Sequence, residues 1–374
     1  MKFSEDLRLT TKEIFPTKVR NPYYIVASRY LRTSAGIKSL HILCHALNSL
    51  GERAYMIIHP FHPAGYSTNP DLLTPLLTPQ IIQSHFRRGL TPIMVYPETI
   101  KGNPFMAPFV VRYILNYPGL LGGDSVYDHS EFCIAYSKKL GDSVPNNKLV
   151  LFIPTSDPNI FYPPQKDIGR NGTCFYAAKY KDYHNASLSD VTKGSFEITR
   201  DRPDSLTQQE IAELFRKSEL FYCYENSALV IESVLCGCPA VFIPNEHLKE
   251  SLGADEIGWD GIAWGTDSEE IKRAKITVEK GRLNYLKQFE NFGNKLKYFV
   301  ELTQKEVSLV DYLNPIKVPF GISSNCWGPF LKPIIGLDMF RFTVSHSGLY
   351  YAINRGIRRI FKKGFKIDLD RIGN

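Results

Sequence analysis

At 374 residues and roughly 150 residues per domain, the chain predicts two domains and an appendage. Its composition of 43% apolar and 22% charged residues is that of a folded globular protein, and no stretch is long and apolar enough for a membrane span. The net charge of +7 calls for an anionic partner. The start, MKFSEDLRLTTKEIF, carries acids and no apolar core, so the sequence predicts no secretory signal. Seven cysteines, none in a C-x-x-C pair, lie mostly in apolar segments and read as small buried residues of a reducing compartment. The Asn171-Gly-Thr and Asn185-Ala-Ser sequons are therefore read as chance.

In chain order, Tyr23 to Ser28 predicts a first strand. A loop with Ser34 and Gly36 follows, then a helix from Ile37 to Leu50 with Leu40, Leu43, Cys44 and Leu47 on one face, stopped at Gly51. Arg53 to His59 predicts the second strand and completes a βαβ unit. His59-Pro-Phe-His62-Pro is read as a stiff loop, since no third metal ligand is near. Leu90 to Tyr96 is a strand with Glu98 just past its carboxyl end, where ligands of open α/β sheets bind and a general base would stand. Phe109 to Tyr117 predicts an amphipathic helix stopped at Pro118-Gly119. Phe132 to Tyr136 and Leu149 to Ile153 are further strands. These make a first domain, residues 1–155.

The prolines between Pro154 and Pro164 predict a hinge. Beyond it, Thr173 to Ala178 is a strand running into Lys179 and Lys181, and Ser195 to Thr199 is another, leading to Arg200. Thr207-x-x-Glu210 is a capping box for a helix with Ile211, Leu214 and Phe215 inward. Leu220 to Tyr224 predicts a strand, Ala228 to Leu235 a helix behind Ser227, and Ala240 to Ile243 the next strand. Residues 267–307 read as mostly helical. The second domain is placed at 156–310 and a tail at 311–374. Within the tail, residues 353–366 put Ile353, Ile357, Ile360 and Phe361 on one helical face and six Arg and Lys on the other. That pattern predicts a helix lying on an anionic membrane surface, each basic residue contributing about 1 kcal/mol. Asp368-Leu-Asp370 is read as chance. No zinc finger, helix-turn-helix or RNA-binding signature is present and the positive charge concentrates in the tail, which argues against nucleic acid.

The stretch Glu225 to Pro239 resembles the E-x7-E signature of GT-B glycosyltransferases. Glu232-Ser-Val-Leu-Cys-Gly237-Cys-Pro239 matches its second half. The first half departs: six residues, not seven, separate Glu225 from Glu232, and Asn226-Ser227-Ala228 stand where glycines are usual. The resemblance implies an α/β fold of two facing Rossmann-like domains with an interdomain cleft. It implies Glu232 on the ribose, Glu225 near the donor sugar, and Lys179 and Lys181 on the diphosphate. The backbone N–H groups of Asn226, Ser227 and Ala228 and the turn at Gly36 would also face the phosphates. Glu98 is the candidate base, needed if the anomeric configuration inverts. The implied activity is metal-independent hexosyl transfer from a nucleoside diphosphate sugar, with no further cofactor. The implied acceptor is a lipid-linked surface polysaccharide, O-antigen or capsule, at the inner face of the cytoplasmic membrane. Two alternatives stay open: a nucleotide-sugar epimerase of the same fold, and a catalytically silent sugar-nucleotide-binding protein.

Overall fold

A computed structural model describes residues 20–60, 67–166, 169–182, 184–200 and 204–316. His62, the basic 353–366 segment and Asp368-Leu-Asp370 lie outside them. Strands β1 (Tyr23–Ala27), β2 (Ala54–Ile58), β3 (Ile93–Pro97), β4 (Phe109–Ile114), β5 (Phe132–Ala135) and β6 (Asn147–Val150) form one parallel sheet in the order β2-β1-β3-β4-β5-β6. Helices α1 (Ala35–Ser49), α2 (Pro79–Arg87) and α3 (Lys138–Asp142) join them. A second parallel sheet holds β7 (Thr173–Tyr176), β8 (Phe196–Glu197), β9 (Leu220–Cys223), β10 (Ala240–Phe242) and β11 (Ile262–Trp264), in the order β11-β10-β9-β7-β8. Its helices are α4 (Ala178–Asp182), α5 (Gln208–Lys217), α6 (Leu229–Leu235), α7 (Ala254–Ile257) and α8 (Ser268–Val307). The chain thus forms the two Rossmann-like domains that the GT-B resemblance implies.

Both faces of each sheet are covered. Along β1, Tyr23, Ile25 and Ala27 join one apolar cluster while Tyr24 and Val26 join the other. In the second domain Cys174 and Tyr176 face one cluster, Phe175 and Ala177 the opposite one. Parallel strands with two buried faces read as unbroken apolar runs, because no alternation marks a wet side.

That property corrects the helix expected over Phe109 to Tyr117. Phe109–Ile114 is strand β4, buried throughout and paired to β3 and β5. A short apolar run has no period that separates a buried strand from a buried helix. α1 also starts earlier than expected, with Gly36 already in its first turn. Lys179 and Lys181 lie on the one-turn helix α4, just past the end of β7.

The 40-residue helix α8 belongs to both domains. Tyr285 sits in the second domain's core, and its hydroxyl donates to the Ser156 carbonyl at 2.9 Å. Phe292, Leu296, Phe299, Val300 and Val307 enter the core of the first. Thr303 and Gln304 fasten this end to Tyr23 Oη at 2.8 Å and to the Asn21 backbone at 2.8 and 3.0 Å. Ile316 then packs beside Tyr24 and Met94 on the first domain. No helix among the described residues is long and apolar enough to cross a membrane.

Candidate functional site

Each sheet has one point where the strand order reverses: between β1 and β3 in the first domain, between β7 and β9 in the second. Crevices outside the carboxyl ends of such strand pairs are the ligand sites of open parallel sheets. Here they face one another. Arg200, beyond β8, reaches across and donates from Nη1 to the Thr33 carbonyl in the loop after β1, at 3.2 Å.

Arg200 organises the second-domain side. Its Nη2 lies 3.5 Å from Oε2 of Glu232, which is only 3% exposed. Its guanidinium carbon stands 5.3 Å over the centre of the Tyr176 ring. Tyr176 in turn neighbours Glu225, whose Oε2 accepts from the Lys179 N–H at 3.1 Å. Glu232 therefore touches the Arg200 guanidinium directly, while Glu225 only feels its charge. Burial raises the Glu225 carboxyl above its usual range, and the charges of Lys179 and Arg200 oppose that rise.

Lys38, in the second turn of α1, supplies a second cation from the first domain. It is 5% exposed, and its ammonium makes no hydrogen bond or ion pair among the described residues. Burial pulls its ammonium down. Glu232 and Asp157 act against that, while Arg200 and Arg32 add to it. A buried lysine without a direct partner is an expensive arrangement. Arg200 touches the Glu232 carboxylate from its own domain, and Lys38 feels the same charge from the other.

The other expected residues are placed as follows. Lys181 is paired to Glu197, with Nζ at 2.6 and 2.8 Å from the two carboxylate oxygens. The Lys179 side chain is exposed. The Asn226 side chain donates to the Glu250 carbonyl at 3.0 Å and accepts from Leu252 N–H at 3.2 Å, which holds the 250–252 loop. Ser227 Oγ accepts from Leu229 N–H at 3.3 Å, and the N–H groups of Ser227 and Ala228 donate to no described residue. A Cβ on Gly36 would lie 3.8 Å from Leu115, an ordinary contact, so packing does not require glycine there.

Glu98 is 3% exposed, and its carboxylate accepts from the Leu115 N–H at 3.0 Å. Burial raises its pKa to about 7. The loop beneath it is built by Arg112 of β4, fully buried. Arg112 pairs with both oxygens of Glu131 at 2.7 and 3.0 Å and donates to the carbonyls of Ile100 at 2.6 Å and Gly102 at 2.9 Å. Gly123 passes over the loop: a Cβ at its φ of +76° would lie 2.0 Å from the Glu98 carbonyl oxygen. Glu98 is thus packed in rather than presented.

Sequence reading missed Lys38 and Arg112 and named Arg200 only in passing. A lone charge in the apolar sequence of α1, and another inside β4, were the available signals.

No protein-family model matches the sequence, and no curated protein matches it. Solved structures resemble the fold distantly. The glycosyltransferase SnogD from Streptomyces nogalater shares 11% identity at a TM-score of 0.40, covering 76% of this chain and 99% of that one. A putative UDP-N-acetylglucosamine 2-epimerase from Listeria monocytogenes shares 8% at 0.40, covering 81% and 100%. AviGT4, a glycosyltransferase involved in avilamycin A biosynthesis, shares 12% at 0.39, covering 78% and 100%. Likeness at this level assigns neither reaction to this chain.

Proposed function

We propose that the chain is a glycosyltransferase that takes a hexosyl group from a nucleoside diphosphate sugar in the cleft between its two sheets. One observation carries the reading: at the reversal points of both sheets Arg200 joins the buried carboxylate of Glu232 to the Thr33 carbonyl of the other domain, where the buried Lys38 adds a second positive charge. Two cations there suit a diphosphate, and they would stabilise the charge that develops as the sugar–phosphate bond breaks. Glu232 offers acceptor oxygens to ribose hydroxyls once a phosphate draws Arg200 toward itself. Glu225 and the exposed Lys179 lie toward the sugar end. The N–H groups of Ser227 and Ala228, which have no acceptor among the described residues, and the space at Gly36 complete the phosphate side of this reading. A surface polysaccharide as acceptor, and a membrane-facing tail at 353–366, belong to the same proposal and rest on the sequence alone.

Titrating the protein with UDP, dTDP, GDP and ADP tests the site. At least one nucleoside diphosphate should bind, and Glu232→Ala should weaken it about tenfold or more, the loss of a hydrogen-bonded charged partner. Unchanged affinity would remove Glu232 from the site. Nucleotide release that depends on added acceptor supports transfer. Interconversion of free donor sugar supports the epimerase instead, and binding with neither supports a silent binder.

A further inference from the structure

An open cavity of 620 Å³ lies at the domain junction beyond the carboxyl ends of β10 and β11. That volume is within the range of about 300–1,000 Å³ typical of small-molecule sites. Its walls come from both domains: Lys139 of α3 on one side, and the 249–251 loop, Trp259, Trp264 and the start of α8 on the other.

Two indole rings form its corner. Trp259 and Trp264 stand at 89° with centroids 5.8 Å apart, and Phe242 backs Trp264 at 5.5 Å. Trp259 is 38% exposed. The corner is rigid. Arg273 donates to the Trp259 carbonyl at 2.9 Å and the Ile262 carbonyl at 2.7 Å, and is itself held by Glu270 at 2.9 Å. Neither indole N–H donates to any described residue. Around the corner stand hydrogen-bonding groups: Glu250, which pairs with Lys139 and accepts from the Tyr117 hydroxyl, and the exposed Lys249.

The ligand class follows from this chemistry. A flat base could stack on one of two perpendicular rings but not on both. A hydrocarbon chain would leave the charged wall unanswered. A pyranose ring has C–H faces in more than one direction for the electron-rich indoles, and a rim of hydroxyls for the carboxylate, ammonium and indole N–H groups. We propose that this corner binds saccharide units of the glycan acceptor, as a subsite beside the donor cleft. Its role as an acceptor subsite rests on the transferase reading; saccharide binding itself does not.

Calorimetry with a panel of gluco-, manno-, galacto-, rhamno- and N-acetylglucosamine oligosaccharides, and separately with UDP and dTDP, tests it. At least one saccharide should bind the unmodified protein. Trp259→Ala, at an exposed position, should weaken that binding about tenfold while leaving nucleotide affinity unchanged. Glu232→Ala should do the reverse. Absence of binding across the panel, or equal binding by the Trp259→Ala and Trp264→Ala variants, overturns the proposal. Tryptophan-dependent saccharide binding without any nucleotide binding would sink the transferase reading and leave the saccharide site standing.

Discussion

Burial gives several charged side chains work that their positions in the sequence do not announce. Glu98 shows the energetic side of this. Its carboxyl is raised from an ordinary value of 4.5 to about 7 by desolvation. Between those values the folded protein holds a proton that the unfolded chain has lost. Stability therefore falls as pH rises through that window and levels off above about 7. Glutamine keeps the oxygen that accepts from Leu115 N–H and cannot ionise. Glu98→Gln should match the unmodified protein near pH 4.5 and exceed it at pH 8 by up to ~3 kcal/mol. Urea unfolding at the two pH values checks this, and an equal difference at both would refute it. Arg112 is the opposite case, a buried ion held by a complete set of partners. Replacing it with Met strands Glu131 and the 97–102 carbonyls, and should cost about 3–5 kcal/mol. A loss under 1 kcal/mol in the same unfolding assay would contradict that account.

Among the elements, α8 has most at stake. Phe299 is fully buried against the first sheet, 5.9 Å from the Tyr23 ring. Phe299→Ala should cost about 3–5 kcal/mol and shift the thermal transition accordingly; a change within 0.5 kcal/mol would deny this half of the helix its place in the core. The elements also show what sequence can carry. β1, β7, β9, α6 and the capping box at Thr207 were legible because caps, glycines and apolar runs act locally. The strand β4 was not, because a doubly buried strand and a buried helix turn share one composition. At the site, Glu232 and Glu225 were found through a motif continuous in sequence. Lys38 and Arg200 were not tied to them, since 162 positions separate those two residues and only folding puts both charges within the field of Glu232. The corner at Trp259 and Trp264 was likewise invisible, as α7 and β11 are too short to leave a period.

For the whole molecule, the path of the chain matters more than any one contact. It leaves the first domain near Ile153, builds the second, and comes back along α8 to finish the first. The second domain is in effect an insertion. A ribosome reads such a chain in an order that reverses the usual expectation of the amino-terminal domain folding first. The first sheet emerges early but lacks Phe292, Leu296, Phe299 and Val300 until almost the whole described chain has been made. The second domain has its own core complete by Tyr285. Stalled nascent chains ending near residue 290, allowing for the length held in the exit tunnel, should therefore carry a protease-resistant second domain beside a first domain that is still cut. Lengthening the exposed chain past residue 310 should protect both together.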